Sequence, residues 1–169
     1  MHRIREGRFR LMSIPALRHA TPEDLIFLQR VFRQCREAEF AGLAWSDEQR
    51  NAFFLQQSEA QESHYDHVMP DLERYVVERS GKGIGRLYLA DEGATLCLVD
   101  IALLPEARGQ GFGRLLVRDV IFRAEAKGQE VSLHVEQDNF AREWYGRLGF
   151  EETGVHGIYV KMRRAPAPS

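Results

Sequence analysis

Cysteine is scarce in this chain: Cys35 and Cys97 are the only two among 169 residues. A disulfide-built secreted scaffold is thereby excluded. Both thiols fall in apolar settings, one helix-like and one strand-like, and read as reduced core residues of a cytoplasmic protein. No apolar run reaches the ~20 residues that a helix needs to cross a bilayer, so no membrane partner is expected. Charge of one sign is also lacking. Lys and Arg number 23 against 25 Asp and Glu, for a net charge of −2. Without a basic excess there is no general affinity for a phosphate backbone, and no nucleic-acid partner is expected. A secretory signal is missing too: Arg3, Arg5, Arg8 and Arg10 are followed by no apolar stretch. Residues 1–11 read as a flexible extension, and Met12 as the more natural domain start. Ala165 to Ser169, with two of the chain's six prolines, reads as a disordered tail.

Between those ends, 12–164 read as one domain of ordinary globular composition, with 44% hydrophobic and 28% charged residues. Ile14 to His19 reads as a strand. Thr21-Pro22-Glu23-Asp24 opens a helix: Thr21 caps it, Pro22 takes the first turn and the acids face the helix dipole. Leu25, Leu28, Phe32 and Cys35 follow at helical spacing, to an end near Phe40. Ser46 with Gln49 forms a capping box for a second helix, to about His67. Leu72–Arg79 and Ile84–Ala90 form a hairpin, followed by a long strand from Thr95 to Leu104. A third helix covers about Gly111 to Lys127, stopped by Gly128. Val131–Val135 is a short buried strand. Asp138 or Asn139 caps a fourth helix, with Ala141, Trp144, Tyr145 and Leu148 on one face. Phe150–Val155 and Ile158–Met162 form a last strand pair. The fold class is α/β (α+β), in the order β-α-α-β-β-β-α-β-α-β-β. It implies one mixed, mostly antiparallel central sheet with helices on both faces.

The most informative segment is Arg108-Gly109-Gln110-Gly111-Phe112-Gly113-Arg114. A glycine-rich turn between a strand and a helix is an anion site, because the backbone can come close and free N–H groups point at negative charge. The spacing excludes a P-loop, which needs G-x-x-x-x-G-K-[ST]. A dinucleotide fingerprint needs a third glycine where Arg114 stands. Ser80-Gly81-Lys82-Gly83-Ile84-Gly85-Arg86 has a similar composition, but strand-like residues flank it on both sides. That context makes it a hairpin turn.

The pattern [RQ]-x-x-G-x-[GA] after a strand resembles the pyrophosphate loop of the GNAT superfamily of acyl-CoA-dependent N-acetyltransferases. A second motif stands behind it in order: the strand at His134, Asn139 at a helix start, the Trp144-Tyr145 pair, then Leu148-Gly149-Phe150. The resemblance is closest over residues 96–150. Gln61-x-x-His64-Tyr65, Gly85-Arg86-Leu87-Tyr88 and Asp100 to Pro105 resemble a bacterial subfamily of such proteins.

The resemblance implies transfer of an acetyl group from acetyl-CoA to a primary amine, by direct attack in a ternary complex. Gly109, Gln110, Gly111, Phe112, Gly113 and Arg114 would wrap the pyrophosphate by main chain, with Arg108 and Arg114 adding charge at the rim. The strand edge at Ile101, Ala102 and Leu103 would pair with the pantetheine arm, the Leu103 N–H meeting the thioester carbonyl. The same three residues also suit plain core strand. Tyr145 is the candidate general acid, protonated at neutral pH, or else a core aromatic. Asn139 would bind the pantetheine, cap its helix, or both. For the base, His134 ranks slightly ahead of Asp100, an acid in an apolar strand that is costly unless paired. His64 and His67 lack a third ligand, and no metal site is expected.

Residues 37–79 carry ten acids and three arginines, a balance of −7 against zero for 105–147. That balance suits a cationic amine, as a small molecule or a peptide or protein amine, and equally suits a solvated surface. A homodimer stays open. The alternative to an enzyme is a non-catalytic acyl-CoA-binding sensor on the same fold.

Overall fold

The computed structural model describes residues 14–168. The extension at 1–11, Met12 as a domain start and the last tail residue, Ser169, lie outside them. Seven strands and four helices follow the order expected above: β1 (Ala16–His19), α1 (Leu25–Arg36), α2 (Asp47–Val68), β2 (Glu73–Arg79), β3 (Lys82–Asp91), β4 (Thr95–Leu103), α3 (Phe112–Ala126), β5 (Glu130–Glu136), α4 (Ala141–Arg147), β6 (Glu151–His156) and β7 (Tyr159–Arg164).

Local chemistry accounts for most of the boundaries. At α2 the capping box forms as read: Ser46 Oγ accepts from the Gln49 N–H at 3.1 Å, and the Ser46 N–H donates to Gln49 Oε1 at 2.9 Å. The first helix differs in detail. Pro22–Asp24 and Glu37–Phe40 are single 3₁₀ turns at the two ends of a shorter α1. Thr21 is the N-cap of the first of these turns, in a capping box with Asp24, whose carboxylate takes the Thr21 N–H at 2.8 Å. In the β2–β3 hairpin only Ser80 and Gly81 turn, both at positive φ, and pairing resumes at Arg79–Lys82. The other two glycines of that segment serve packing: a Cβ at Gly83 would meet the Phe27 ring at 2.8 Å, and one at Gly85 the Ala102 carbonyl oxygen at 2.3 Å.

The sheet runs β1-β2-β3-β4-β5-β7-β6, with every neighbouring pair antiparallel except β4 and β5. One face carries α3 and α4. Leu116, Val117, Val120 and Ile121 of α3, with Tyr145 and Trp144 of α4, pack there on Leu87, Leu98, Leu133 and Met162. The other face of β3 and β4 is covered by α2, through Tyr65 and Met69 on Tyr88, Cys97 and Val99. Cys35 and Cys97 are free thiols, each half-buried rather than fully enclosed.

The parallel pair is short. β4 and β5 are joined only from Thr95–Glu130 to Leu98–Leu133. Beyond that point β4 keeps its β3 partner as far as Gly85–Leu103, and β5 keeps β7. A bulge in β4 at Val99 falls where the two strands part: Tyr88 faces Asp100, while Leu89 faces Leu98. The sheet therefore opens into a gap between Asp100–Leu103 on one side and His134–Glu136 on the other.

Candidate active site

Strand phase decides which main-chain groups face the gap. The Leu104 N–H donates to the Ile84 carbonyl at 2.8 Å. With Gly85 opposite Leu103 in the ladder, this makes Leu103–Gly85 a pair without mutual hydrogen bonds, and Ala102–Arg86 a bonded one. The N–H and C=O of Ile101 and Leu103 thus point into the gap, while those of Ala102 pair with β3. The Leu103 carbonyl is already engaged, by Arg108 Nε at 3.0 Å and Cys35 Sγ at 3.4 Å. Its N–H is left for a partner in the gap.

The glycine loop follows directly. Pro105–Ala107 makes one 3₁₀ turn, and Gly109 and Gly111 both adopt positive φ, 72° and 84°. Only glycine takes that conformation without strain, and a Cβ at either would otherwise meet open space. The chain then enters α3, whose first intrahelical bond is Leu115 N–H to the Gly111 carbonyl. The N–H groups of Phe112, Gly113 and Arg114 thus lie ahead of the helical ladder, at the positive end of the helix dipole. Side chains here brace the loop. Gln110 donates to the Glu106 carbonyl and accepts from Arg79, while Arg79 lies over the buried Phe112 ring at 4.8 Å. Arg108 turns its guanidinium to the Leu103 carbonyl and Cys35, which differs from a purely rim position. Arg114 is exposed at the helix start.

Tyr145 sits on α4, 6% exposed, with its ring against Trp144 and Phe150. Burial, and then the Asp100 charge, push its phenol up to about 12. The phenol is therefore protonated at neutral pH. Asn139 caps α4: its Oδ1 accepts the Ala141 N–H at 2.9 Å.

Asp100 has the partner that its place in an apolar strand required. Its carboxylate lies 2.5 Å from an Arg86 nitrogen, and the Arg86 side chain is almost wholly enclosed. Burial is the strongest single influence and pulls that guanidinium down, but Asp100, Tyr88 and Glu62 together outweigh it and the net shift is upward. Arg86 also donates to Gln61 Oε1 at 2.9 Å and lies over the Tyr88 and Phe32 rings. Glu62 accepts from Tyr88 Oη at 2.9 Å and from Arg74 at 2.8 Å. Tyr65 is pushed up to about 12 by burial and by Asp100. This network joins α2 to β3 and β4 beneath the gap. Sequence reasoning missed it, although Gln61, Tyr65, Arg86 and Tyr88 all lay in quoted motifs. The missing signal was the i, i+2 alternation that puts Arg86 and Tyr88 on the α2 face.

His134 is on the far side of the gap, the first residue of β5 past the split, with an exposed side chain. It lies opposite Lys161 in the ladder, and its ring is 6.3 Å from that of His156. Partial burial, then Lys161 and His156, hold its pKa below the usual histidine value. The structure thus sets His134 beside Lys161 and His156, on the wall of the gap opposite Asp100. Of the acids in 37–79, Glu37, Glu62, Asp66 and Glu78 are in ion pairs with arginines, so less of the −7 balance faces outward uncompensated. Among the described residues no cluster of His, Cys, Asp and Glu suits a metal, and no helix is long and apolar enough to cross a membrane.

This geometry is a split sheet, an open strand edge and a glycine loop feeding a helix start. It agrees with comparison to known proteins. Residues 70–152 match the model of the acetyltransferase (GNAT) domain family. The [ribosomal protein bS18]-alanine N-acetyltransferase of Haemophilus influenzae is 41% identical over 73 residues, 43% of this chain and 47% of the relative. The match therefore spans about half the length of that curated relative. Among solved structures, the PaiA N-acetyltransferase of Thermoplasma acidophilum in complex with coenzyme A superposes with a TM-score of 0.68 at 20% identity, over 89% of this chain and 98% of that one. The ribosomal-protein-S18-alanine N-acetyltransferase of Escherichia coli gives a TM-score of 0.65 at 17% identity, over 92% and 96% of the two chains. At these identities the structural likeness establishes the fold.

Proposed function

We propose that the protein is an acetyl-CoA-dependent N-acetyltransferase acting on a primary amine. The observation that carries this reading is the edge of β4. Past Leu98 it has lost β5, its Ile101 and Leu103 main chain faces the gap, and it runs straight into the positive-φ glycine loop. A strand edge takes an extended amide-bearing arm as it would take another strand, and the loop takes the anion at the end of that arm. Acetyl-CoA has those two features in that order and supplies a thioester as acyl donor.

The chain's residues then have distinct tasks. The Leu103 N–H polarises the thioester carbonyl and stabilises the oxyanion that forms on it. The amine nitrogen attacks the carbonyl carbon; a C–N bond forms, the C–S bond breaks, and the sulfur leaves as thiolate. Tyr145, held protonated, donates its proton to that thiolate. The proton lost by the amine passes to His134 or, on the other wall, to Asp100, directly or through water. His134 suits the task because partial burial, then Lys161 and His156, disfavour its protonated form. Asp100 is less suited because it already compensates Arg86. The acceptor is a small amine or the amine of a peptide or protein; the bS18-alanine acetyltransferase likeness favours the latter.

The test is release of free CoA from acetyl-CoA over a panel of amines, beside calorimetric binding of acetyl-CoA. Binding without turnover on any amine would favour the sensor reading. No binding would remove both.

A further inference from the structure

Beside the candidate base His134 stand two side chains, Lys161 and His156, that have no part in the chemistry above. Lys161, on β7, lies between His134 of β5 and His156 of β6. It is opposite His134 in one ladder and opposite Gly154 in the other, two residues from His156. Alternation along β7 sends Val160 and Met162 into the core and turns Tyr159, Lys161 and Arg163 to the other face. His134, His156, Tyr159 and Arg163 are all exposed on that face, and Lys161 is half-buried among them.

The charge on this face is unbalanced at one place. Arg163 is held by Glu130 at 2.7 Å. Two more carboxylates share the face, Glu136 beside Tyr159 and Glu151 beside Arg163 in the ladders. Among the described residues neither forms an ion pair with Lys161, and neither is among the groups acting on His134. Gly154 stands across from Lys161 on β6, and the His156 ring reaches toward that position, 3.9 Å from where a Gly154 Cβ would lie. A half-buried lysine beside two imidazoles on one sheet face, in an ion pair with no acid among the described residues, suits an oxyanion brought by a ligand. The cluster begins one residue past the sheet split, on the wall of the gap facing Asp100.

We propose that Lys161, flanked by His134 and His156, is an anion subsite of the acceptor groove, so that the acceptor is an amine that also carries a carboxylate or phosphate. The proposal rests on the acetyl-transfer reading. It adds that the acceptor is recognised at two ends: its amine at the β4 side of the gap and its oxyanion on the β5–β7–β6 wall.

Two measurements test it. The first needs no turnover. Inorganic phosphate is titrated into the protein while the imidazole resonances of His134 and His156 are followed by NMR. Saturable shifts at both, lost in Lys161→Met, are expected; acetyl-CoA affinity in that variant should be unchanged, which shows that it is folded. Absence of a saturable shift overturns the subsite. The second compares matched amines, carboxylate against carboxamide and phosphate against hydroxyl. The better pair identifies the oxyanion. Measured at a pH above the acidic limb in both proteins, Lys161→Met should lower kcat/KM for the anionic member by about tenfold or more and leave the neutral member within about twofold, as expected for loss of a charge-assisted contact. Neutral members used as well as anionic ones by the unaltered protein also overturn it. Phosphate shifts intact, with no CoA released for any amine, would count against acetyl transfer and not against the subsite.

Discussion

Arg86 on β3 and Asp100 on β4 form an ion pair of 2.5 Å at the base of the gap, and its arginine is among the most buried polar side chains described. The pair sits where the β4 bulge lets Tyr88 face Asp100 across the ladder. It makes the floor of the proposed acceptor groove a charged structure whose stability and chemistry are tied together. Asp100→Asn removes the charge that compensates a buried guanidinium. Breaking such a pair costs about 3 kcal/mol. At this chain length each kcal/mol lowers Tm by roughly 2–4 °C. Thermal unfolding of the variant is expected to show a loss of that order. An unchanged Tm would mean that Glu62 and Gln61 suffice to hold Arg86.

Gly85 is a packing requirement, because a Cβ there would lie 2.3 Å from the Ala102 carbonyl oxygen. Gly85→Ala should part β3 from β4 and destabilise the protein by about 1–3 kcal/mol, as overpacking does. Denaturant unfolding reads the loss. Gly113→Ala, where a Cβ would come no closer than 4.0 Å to Leu103, should be nearly neutral in the same assay.

Gly111 adopts φ 84° at the mouth of α3. Gly111→Glu places an anion where the proposed pyrophosphate would lie, and should abolish acetyl-CoA binding by calorimetry. Unchanged affinity in a folded variant would mean that the loop is not the anion site.

Tyr145→Phe keeps the packing against Trp144 and Phe150 and removes the hydroxyl. A loss of turnover of order 10²-fold is expected, with little change in acetyl-CoA affinity. Because the phenol is pushed up to about 12, the unaltered enzyme should show no basic limb from Tyr145 below pH 10. Full activity in the variant would give the donor role to solvent.

If His134 is the base, it works as the neutral imidazole, so activity falls as pH drops through its pKa. That pKa is lowered by burial, Lys161 and His156, which puts the acidic limb below the ordinary histidine range near 6.5. Removing the Lys161 charge removes one lowering cause, so in Lys161→Met the limb should move to higher pH. His134→Gln should erase it. A kcat/KM profile unaltered in both variants would leave Asp100, or water, as the base.

Much of the local geometry of the candidate site was legible in the sequence because its signals are local. Gly109 and Gly111 announce positive φ before a helix. Ser46 with Gln49, and Asn139 before Ala141, mark helix starts by side-chain acceptors within three residues of their donors. Tyr145 falls on the apolar stripe of α4. These are short-range constraints, and a linear pattern records them. Arg108 was harder, since a basic residue beside an anion loop reads as a ligand for the anion, while its guanidinium bonds the carbonyl of Leu103 five residues earlier.

The order of elements, the single mixed sheet and the strand–loop–helix anion motif follow from the sequence alone, because periodicity and turn chemistry specify them without reference to distant residues. Tertiary structure decided the rest. Only the short β4–β5 pairing, ending at Leu98–Leu133, creates the gap, and only ladder phase turns the Leu103 N–H into it and the Ala102 N–H away. The partner of Asp100 is fourteen positions back, on β3, and the neighbours of His134 come from β7 and β6. Register between strands couples residues that no local pattern links, and a slip of one position would turn each of them to the opposite face.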